Sequence, residues 1–397
     1  MAKHFSYTFL YTFLFINLYI SNALISSQRI FNVLSFGAVP NGIEDSTLGF
    51  LNAWSTACAS IFAAEVYIPK GRFLVRPLAF NGSYCRSPGI NFRIEGTLVA
   101  PTDYRVLGWG NKWLSFQKVT GVSIIGGTLE AGGHAFWDCK RARNIDCHRG
   151  AVSLRFTGSR NIRISGLTSL NSQVGHISIK RCRNVHIKGV RVIAADNSPN
   201  TEGIHVQQSQ NVVIEDSSMQ TGDDCISIGP GTKNLWIENI ACGPGHGISI
   251  GSLGKGLKEE GVQNVTVKKA TITGTQNGLR IKAWARPSNG FVHGVHYVDV
   301  IMQGVRRPIV IDQNYCPHKI NCPGQQSGTK ISDVVYQNIR GTSATAVAVK
   351  FDCSRTNPCA EIRLRDVNLK CLKQPARSSC ANVNGTVFGV IKPNSCF

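Results

Sequence analysis

At 397 residues the chain is long enough for one large core or two ordinary domains. Its 43 lysines and arginines against 23 aspartates and glutamates give a formal net charge of +20, which favours a polyanionic partner. Beyond the first two dozen residues no stretch is apolar enough to cross a bilayer, so no transmembrane helix is expected there.

The chain opens with Lys3 and His4, an apolar run from Phe9 to Ile20, and the small residues Ser21, Asn22 and Ala23. That layout predicts a secretory leader over residues 1–23, too short and too interrupted by Thr12 and Asn17 to be a membrane anchor. Residues 24–397 are then a secreted, extracellular chain and read as one domain, because no linker interrupts them. Lys3 is the leader's only charge, so its removal leaves +19. An exported chain seldom meets nucleic acid, and acidic polysaccharide is the extracellular polyanion. A basic surface that serves only solubility is the bland alternative. Fourteen cysteines fit the same compartment. Cys139 and Cys147, Cys316 and Cys322, and Cys353 and Cys359 stand at short spacings. Zinc is the competing use, but no C-x-x-C pair occurs, so no metal is expected and disulfide connectivity stays open. Asn81, Asn264 and Asn384 begin N-x-[ST] sequons and are candidates for glycosylation.

Downstream of the leader, Phe31–Gly37 reads as a short strand ending in a glycine turn. Asp45 and Ser46 can cap a helix through Leu48, Phe50, Leu51, Trp54 and Cys58, the one convincing amphipathic helix in the sequence. From there on, short Val- and Ile-rich strands are punctuated by Gly, Asn and Ser. Asn161, Asn184, Asn211, Asn234 and Asn264 each open an Asn-aliphatic-x-aliphatic segment, at intervals of 23, 27, 23 and 30 residues. Looser copies start at Gly121, Gly294, Asp333 and Ile362. Such a unit cannot bury its own apolar face, whereas stacked copies can. A β-sandwich would show hairpin turns every 8–12 residues or so and no recurring register, and the Leu scaffold of a leucine-rich repeat is missing. The expected fold is all-β: a single-stranded parallel β-helix whose open first coil is covered by the short N-terminal helix.

A second register carries the chemistry. Gly203-Ile-His-Val206, Cys225-Ile-Ser-Ile228, Gly247-Ile-Ser-Ile250 and Gly278-Leu-Arg-Ile281 follow one another at intervals of 22, 22 and 31 residues. The residues just before them are Glu202, Asp224, His246 and Asn277, which parallel stacking would set about 4.8 Å apart. Asp223 adjoins Asp224, and strand alternation puts Arg280 and Lys282 on one face. A folding ion-pair network is the bland reading of this cluster, and His176 and His205, inside strands, read as structural or surface residues. The functional reading is hydrolysis of a glycosidic bond between acidic sugars. One carboxyl protonates the leaving oxygen, another activates water, and crowding raises the pKa of at least one of them. Arg280 and Lys282 suit a substrate carboxylate, and His246 suits a hydrogen bond to substrate or to a neighbouring aspartate.

Ser198-Pro-Asn-Thr-Glu-Gly-Ile204, Gly222-Asp-Asp-Cys-Ile-Ser-Ile228, Cys242-Gly-Pro-Gly-His-Gly-Ile-Ser-Ile-Gly-Ser252 and Arg280-Ile-Lys282 closely resemble the four signature motifs of the polygalacturonases, and the N-terminal segments resemble the family's plant members. The resemblance covers nearly the whole mature chain. It implies a right-handed parallel β-helix that hydrolyses polygalacturonan, the acidic backbone of pectin, with inversion, as a cofactor-free monomer acting in the cell wall. It implies Asp223 as proton donor, Asp224 and Glu202 as holders of the water, and His246, Arg280, Lys282 and Asn200 around the substrate. Tyr315, in Asp312-Gln-Asn-Tyr-Cys316, resembles the family's active-site tyrosine, and Cys225 and Cys242 match positions that the family usually bridges. The departure is Glu202, where the family usually carries Asp. Its longer arm could crowd the water, for which inverting enzymes leave roughly 6.5–9.5 Å between carboxyls. Two other readings stand beside this one. A catalytically weak pectin-binding protein has Glu202 as its support. A calcium-dependent pectate lyase would use an arginine base and has no motif here.

Overall fold

The computed structural model describes residues 28–108, 110–142, 147–317 and 320–397; the leader expected over residues 1–23 lies outside them. The chain winds as a right-handed parallel β-helix, with every strand pairing parallel to its neighbours.

One face is an eleven-stranded sheet with one strand per coil in chain order. Its strands are β1 (Leu78–Asn81), β2 (Lys112–Gln117), β3 (Val152–Thr157), β4 (Ile177–Lys180), β5 (Ile204–Gln207), β6 (Asp224–Ile228), β7 (Gly247–Leu253), β8 (Leu279–Trp284), β9 (Ile309–Tyr315), β10 (Val347–Asp352) and β11 (Arg377–Ala381). Alternation sends two residues of each strand inward. Ile177, Ile204, Ile226, Ile248, Leu279 and Ile309 therefore form one stacked column, and Ile179, Val206, Ile228, Ile250, Ile281 and Ile311 form the next, all fully buried. Each such aliphatic side chain contributes roughly 1.5–3 kcal/mol by leaving water. The intervening residues His205, Ser227, Ser249 and Arg280 point out of the helix as a third column, and this outward column carries the site.

The remaining faces belong to a nineteen-stranded sheet. In early coils its two faces use separate short strands, and both Arg183–Lys188 and Arg191–Ile193 pair with the single long strand Gln210–Gln220. The recurring asparagines sit at its corner. Asn161, Asn184, Asn211, Asn234 and Asn264 all hold φ of 55°, a left-handed conformation that Asn tolerates better than other side-chain-bearing residues. From Asn184 onward, the Nδ2 of each donates to Oδ1 of the one a coil earlier at 3.1 Å. Two constraints, a corner in the backbone and an amide rung, select the same residue in these five coils.

The expected helix spans Thr47–Ala59 and covers the first coil: Trp54 packs on Phe80, Phe92 and Phe116, and Phe50 on Phe73. Its cap differs from expectation. Asp45 Oδ1 accepts from the Thr47 N–H, whereas the Ser46 hydroxyl turns back to Val39. Two further helices, Arg105–Gly108 and His134–Arg141, correct the reading of a single one. The second is too short for an apolar stripe and docks by two residues, Phe136 and Trp137. The opening segment is a strand only to Asn32; Val33–Phe36 is a 3-10 turn closed by Gly37 at φ 88°. Disulfides join Cys58–Cys85, Cys139–Cys147, Cys225–Cys242, Cys316–Cys322, Cys353–Cys359 and Cys380–Cys396, leaving Cys182 and Cys371 free.

Candidate active site

The outward column of β5–β9 forms the floor of a cleft of about 1650 Å³, and Asn200, Glu202, Asp223, Asp224, His246, Arg280, Lys282 and Tyr315 all line it. The structure thus brings together every catalytic and substrate-binding candidate read from the sequence. Cys225 and Cys242 lie beneath, buried and bonded.

The register is as expected from β5 to β6, where Ile204 pairs with Ile226. Between β6 and β7 it slips. Ile226 pairs with Ile248 but Asp224 with Gly247, so one residue, Cys225, is extra on β6. A bulge of this kind re-aims the neighbouring side chains. The expectation that Asp224 and His246 share a rung is therefore corrected. The ring nitrogen Nδ1 of His246 lies 2.9 Å from Oδ1 of Asp223, and the His246 N–H donates to the Asp223 carbonyl. Asp223 Oδ1 also accepts the N–H of Asp224 at 2.7 Å, and Asn200 Nδ2 lies 3.5 Å from its Oδ2.

Asp224 is buried in a cage of donors. Ser249 Oγ and Arg280 Nη2 donate to Oδ1, both at 2.7 Å, and Lys282 Nζ donates to Oδ2 at 2.9 Å. Arg280 Nε in turn donates to Ser249 Oγ at 2.9 Å. Burial alone would raise the Asp224 pKa, but Arg280 and then Lys282 outweigh it and hold the carboxyl well below the usual range. Glu202 behaves in the opposite way. Burial foremost, with the charge of Asp223 adding to it, pushes its carboxyl up to about 8. Two neighbouring carboxyls with pKa values driven apart are the arrangement that acid–base chemistry needs. Asp223, Asp224 and His246 are close enough to hold a cation, yet both oxygens of Asp224 already accept from Arg280 and Lys282, so the donor set favours no metal.

Tyr315 closes one side: its ring packs edge-on against Trp284 at 5.4 Å, and Lys282 Nζ lies 5.4 Å from the ring centroid. Lys255, Arg307, Lys350 and Arg377 add cations along the cleft, in keeping with an anionic polymer. Sequence reading missed Ser249, which joins Arg280 to Asp224; the signal was its outward position between His246 and Arg280. It also missed Trp284, two residues past Lys282. His176 is structural as expected, buried with Nδ1 2.9 Å from Ser169 Oγ. His205 bonds Ser227 and lines the cleft.

Residues 58–396 match the sequence profile of glycosyl hydrolases family 28. A polygalacturonase of Prunus persica is 55 % identical over 379 residues, covering 96 % of each chain. One of Gossypium hirsutum is 40 % identical over 382 residues, covering 96 % of this chain and 93 % of its own. Among solved structures, an endo-xylogalacturonan hydrolase from Aspergillus tubingensis superposes with a TM-score of 0.79 at 22 % identity, over 92 % of this chain and 100 % of that one. A polygalacturonase from Erwinia carotovora ssp. carotovora superposes with 0.72 at 22 %, over 91 % and 97 %. At these identities the two structures speak for the fold.

Proposed function

The chain belongs to family 28 of the glycosyl hydrolases, and from that premise we propose that Asp223, Asp224 and Glu202 carry out a single displacement that inverts the anomeric carbon. The chain is a polygalacturonase, a glycoside hydrolase acting on pectin.

In this reading Asp223 gives its proton to the glycosidic oxygen as the bond from the anomeric carbon breaks. A water attacks the opposite face of the sugar and loses a proton to Asp224, so donor and base exchange one proton each per turnover. Glu202, neutral below about pH 8, holds that water by hydrogen bonding rather than by charge. Its longer arm is then tolerable, because a neutral carboxyl neither repels Asp224 nor competes for the proton. Arg280 and Lys282 have two duties: they keep Asp224 ionised, and they attract the galacturonate carboxylate. When that carboxylate enters, it shares their charge, and Asp224 becomes a stronger base at the moment the base is needed.

The observation that carries this reading is the opposed electrostatics of Asp224 and Glu202 beside Asp223. Its test is reducing-end release from de-esterified polygalacturonate by the wild type, Asp223→Asn and Glu202→Asp, with the product anomer followed by NMR. Activity lost in Asp223→Asn, with the inverted anomer formed first by the wild type, supports the assignment. Retention of configuration would overturn it.

The six disulfides support an extracellular enzyme, and among the described residues no helix is long and apolar enough to cross a membrane. Together with the leader-like N-terminus, these favour export to the cell wall, with residues 24–397 as one mature domain working as a monomer on pectin.

A further inference from the structure

We propose that Asn264 carries an N-linked glycan and that its first sugars lie on the indole of Trp236, in a groove on the face of the solenoid away from the cleft.

Of the five asparagines in the corner ladder, Asn264 alone has a hydroxyl residue two positions on, Thr266. It is also the ladder's last member. Its Nδ2 donates to Asn234 at 3.1 Å, as the others do to their predecessors, but the next coil offers Gly294 in place of a sixth asparagine. A Cβ on Gly294 would stand 3.0 Å from Asn264 Oδ1, so at this end of the ladder no side chain is stacked on the Oδ1 side of the amide. The amide nitrogen has two hydrogens, and the ladder uses one.

The opening is a groove of about 460 Å³, within the range of ~300–1,000 Å³ that holds small ligands. Asn264, Trp236, Thr266, Gly294 and His296 line it. Trp236 pairs in register with Thr266, which places the indole one strand spacing, about 4.8 Å, behind the sequon. The indole is 40 % exposed and is fixed by its Nε1–H, which donates to Glu238 at 3.0 Å. A large flat apolar ring held open to solvent by its own hydrogen bond is the surface on which a sugar ring packs. The groove's occupant is then supplied by the chain itself, from the residue at its edge.

The attachment is an oligosaccharyl transfer from a polyisoprenyl diphosphate donor in the secretory route. The anomeric C–O bond to the diphosphate breaks and the diphosphate leaves with the electron pair. The Nδ2–C1 bond forms, and the amide gives up one proton. The inference rests on export of the chain. Asn81 and Asn384, both exposed sequon asparagines, report on export independently.

The test has two parts. Protein from a plant secretory host is digested, and site occupancy at Asn81, Asn264 and Asn384 is read by glycopeptide mass spectrometry. The expected result is a glycan on Asn264. The wild type, Thr266→Val, Trp236→Ala and the double variant are then compared by thermal unfolding, from that host and from a non-glycosylating one. Thr266→Val should lower the Tm by about 2 °C in glycosylated material, and most of that shift should vanish on the Trp236→Ala background. From the non-glycosylating host this coupling should be absent, which separates a glycan–indole contact from a direct Trp236–Thr266 contact. A bare Asn264 beside an occupied Asn81 or Asn384 overturns the inference. Three bare sequons overturn it together with the export reading. A bare Asn264 with pectin binding weakened in Trp236→Ala would overturn it too and give the groove to the polysaccharide.

Discussion

His246 Nδ1 and Asp223 Oδ1 lie 2.9 Å apart, and the same oxygen accepts the N–H of Asp224 at 2.7 Å. With two close neighbours on Oδ1, the transferable proton belongs on Oδ2, whose one hydrogen bond among the described residues is the long one from Asn200. Asp223→Asn should lower kcat by about 10²–10⁴ with the Tm nearly unchanged, the size of effect typical for a general acid. His246→Asn removes one hydrogen bond that positions the donor and should cost about tenfold in kcat. A His246 variant as dead as the Asp223 variant would make the imidazole, not the carboxyl, the acid.

Glu202 supplies a pH signature. Its carboxyl is pushed up to about 8 in the folded chain from an ordinary 4.5, so between those values the folded state holds a proton that the unfolded state has lost. Stability from this group is complete below pH 4.5 and is lost as pH rises through 8, by about 1 kcal/mol per unit. Glu202→Gln mimics the protonated form and should flatten that decline in denaturant titrations from pH 5 to 8. It should also keep activity at pH 5 within about tenfold of wild type, since a neutral donor at this position survives, and it should extend the alkaline limb of the activity profile. A Gln variant with no activity at pH 5 would show that the residue must be ionised to work.

How much of this was legible in the sequence differs from element to element. The aliphatic columns were, because Ile204, Ile226, Ile248 and Leu279 recur at spacings that only stacking explains. Arg280 and Lys282 were, because strand alternation fixes a common face for residues two apart. The pairing of His246 with Asp223 was not: it depends on the bulge at Cys225, and one extra residue in a strand leaves the motif's appearance unchanged. That both cations are already engaged with Asp224 was equally hidden, since alternation gives a face and not a partner. The helix His134–Arg141 escaped because it is docked by two aromatic residues rather than by a stripe.

The cage around Asp224 predicts opposite behaviour on the acid side. Its carboxyl is held below the ordinary value against its own burial, so its contribution is present above the ordinary aspartate range and is lost only as pH falls well beneath it. Lys282→Met removes the partner of Oδ2 and leaves Asp224 to Arg280 and Ser249. The loss at pH 7 should be about 3 kcal/mol, as for other broken buried pairs. The acid unfolding midpoint should move to higher pH, and KM for polygalacturonate should rise. If stability falls while the acid midpoint stays where it was, Lys282 is packing against Tyr315 rather than holding Asp224 ionised.

The asparagine ladder separates a backbone role from a hydrogen-bonding one. Asn211 sits mid-ladder at φ 55°, donating to Asn184 and accepting from Asn234, both at 3.1 Å. Asn211→Ala meets the left-handed penalty of roughly 1–2 kcal/mol and also loses both rungs. Asn211→Gly loses the rungs but is relieved of the penalty. Each exposed rung is worth about 0.5 kcal/mol, the low end for a hydrogen bond, so Gly should cost about 1 kcal/mol and Ala about twice that or more. Urea midpoints at constant m would show the order Asn, then Gly, then Ala. Equal losses for Gly and Ala would place the value of this position in the amide ladder, and asparagine would then recur at the corner for its side chain alone.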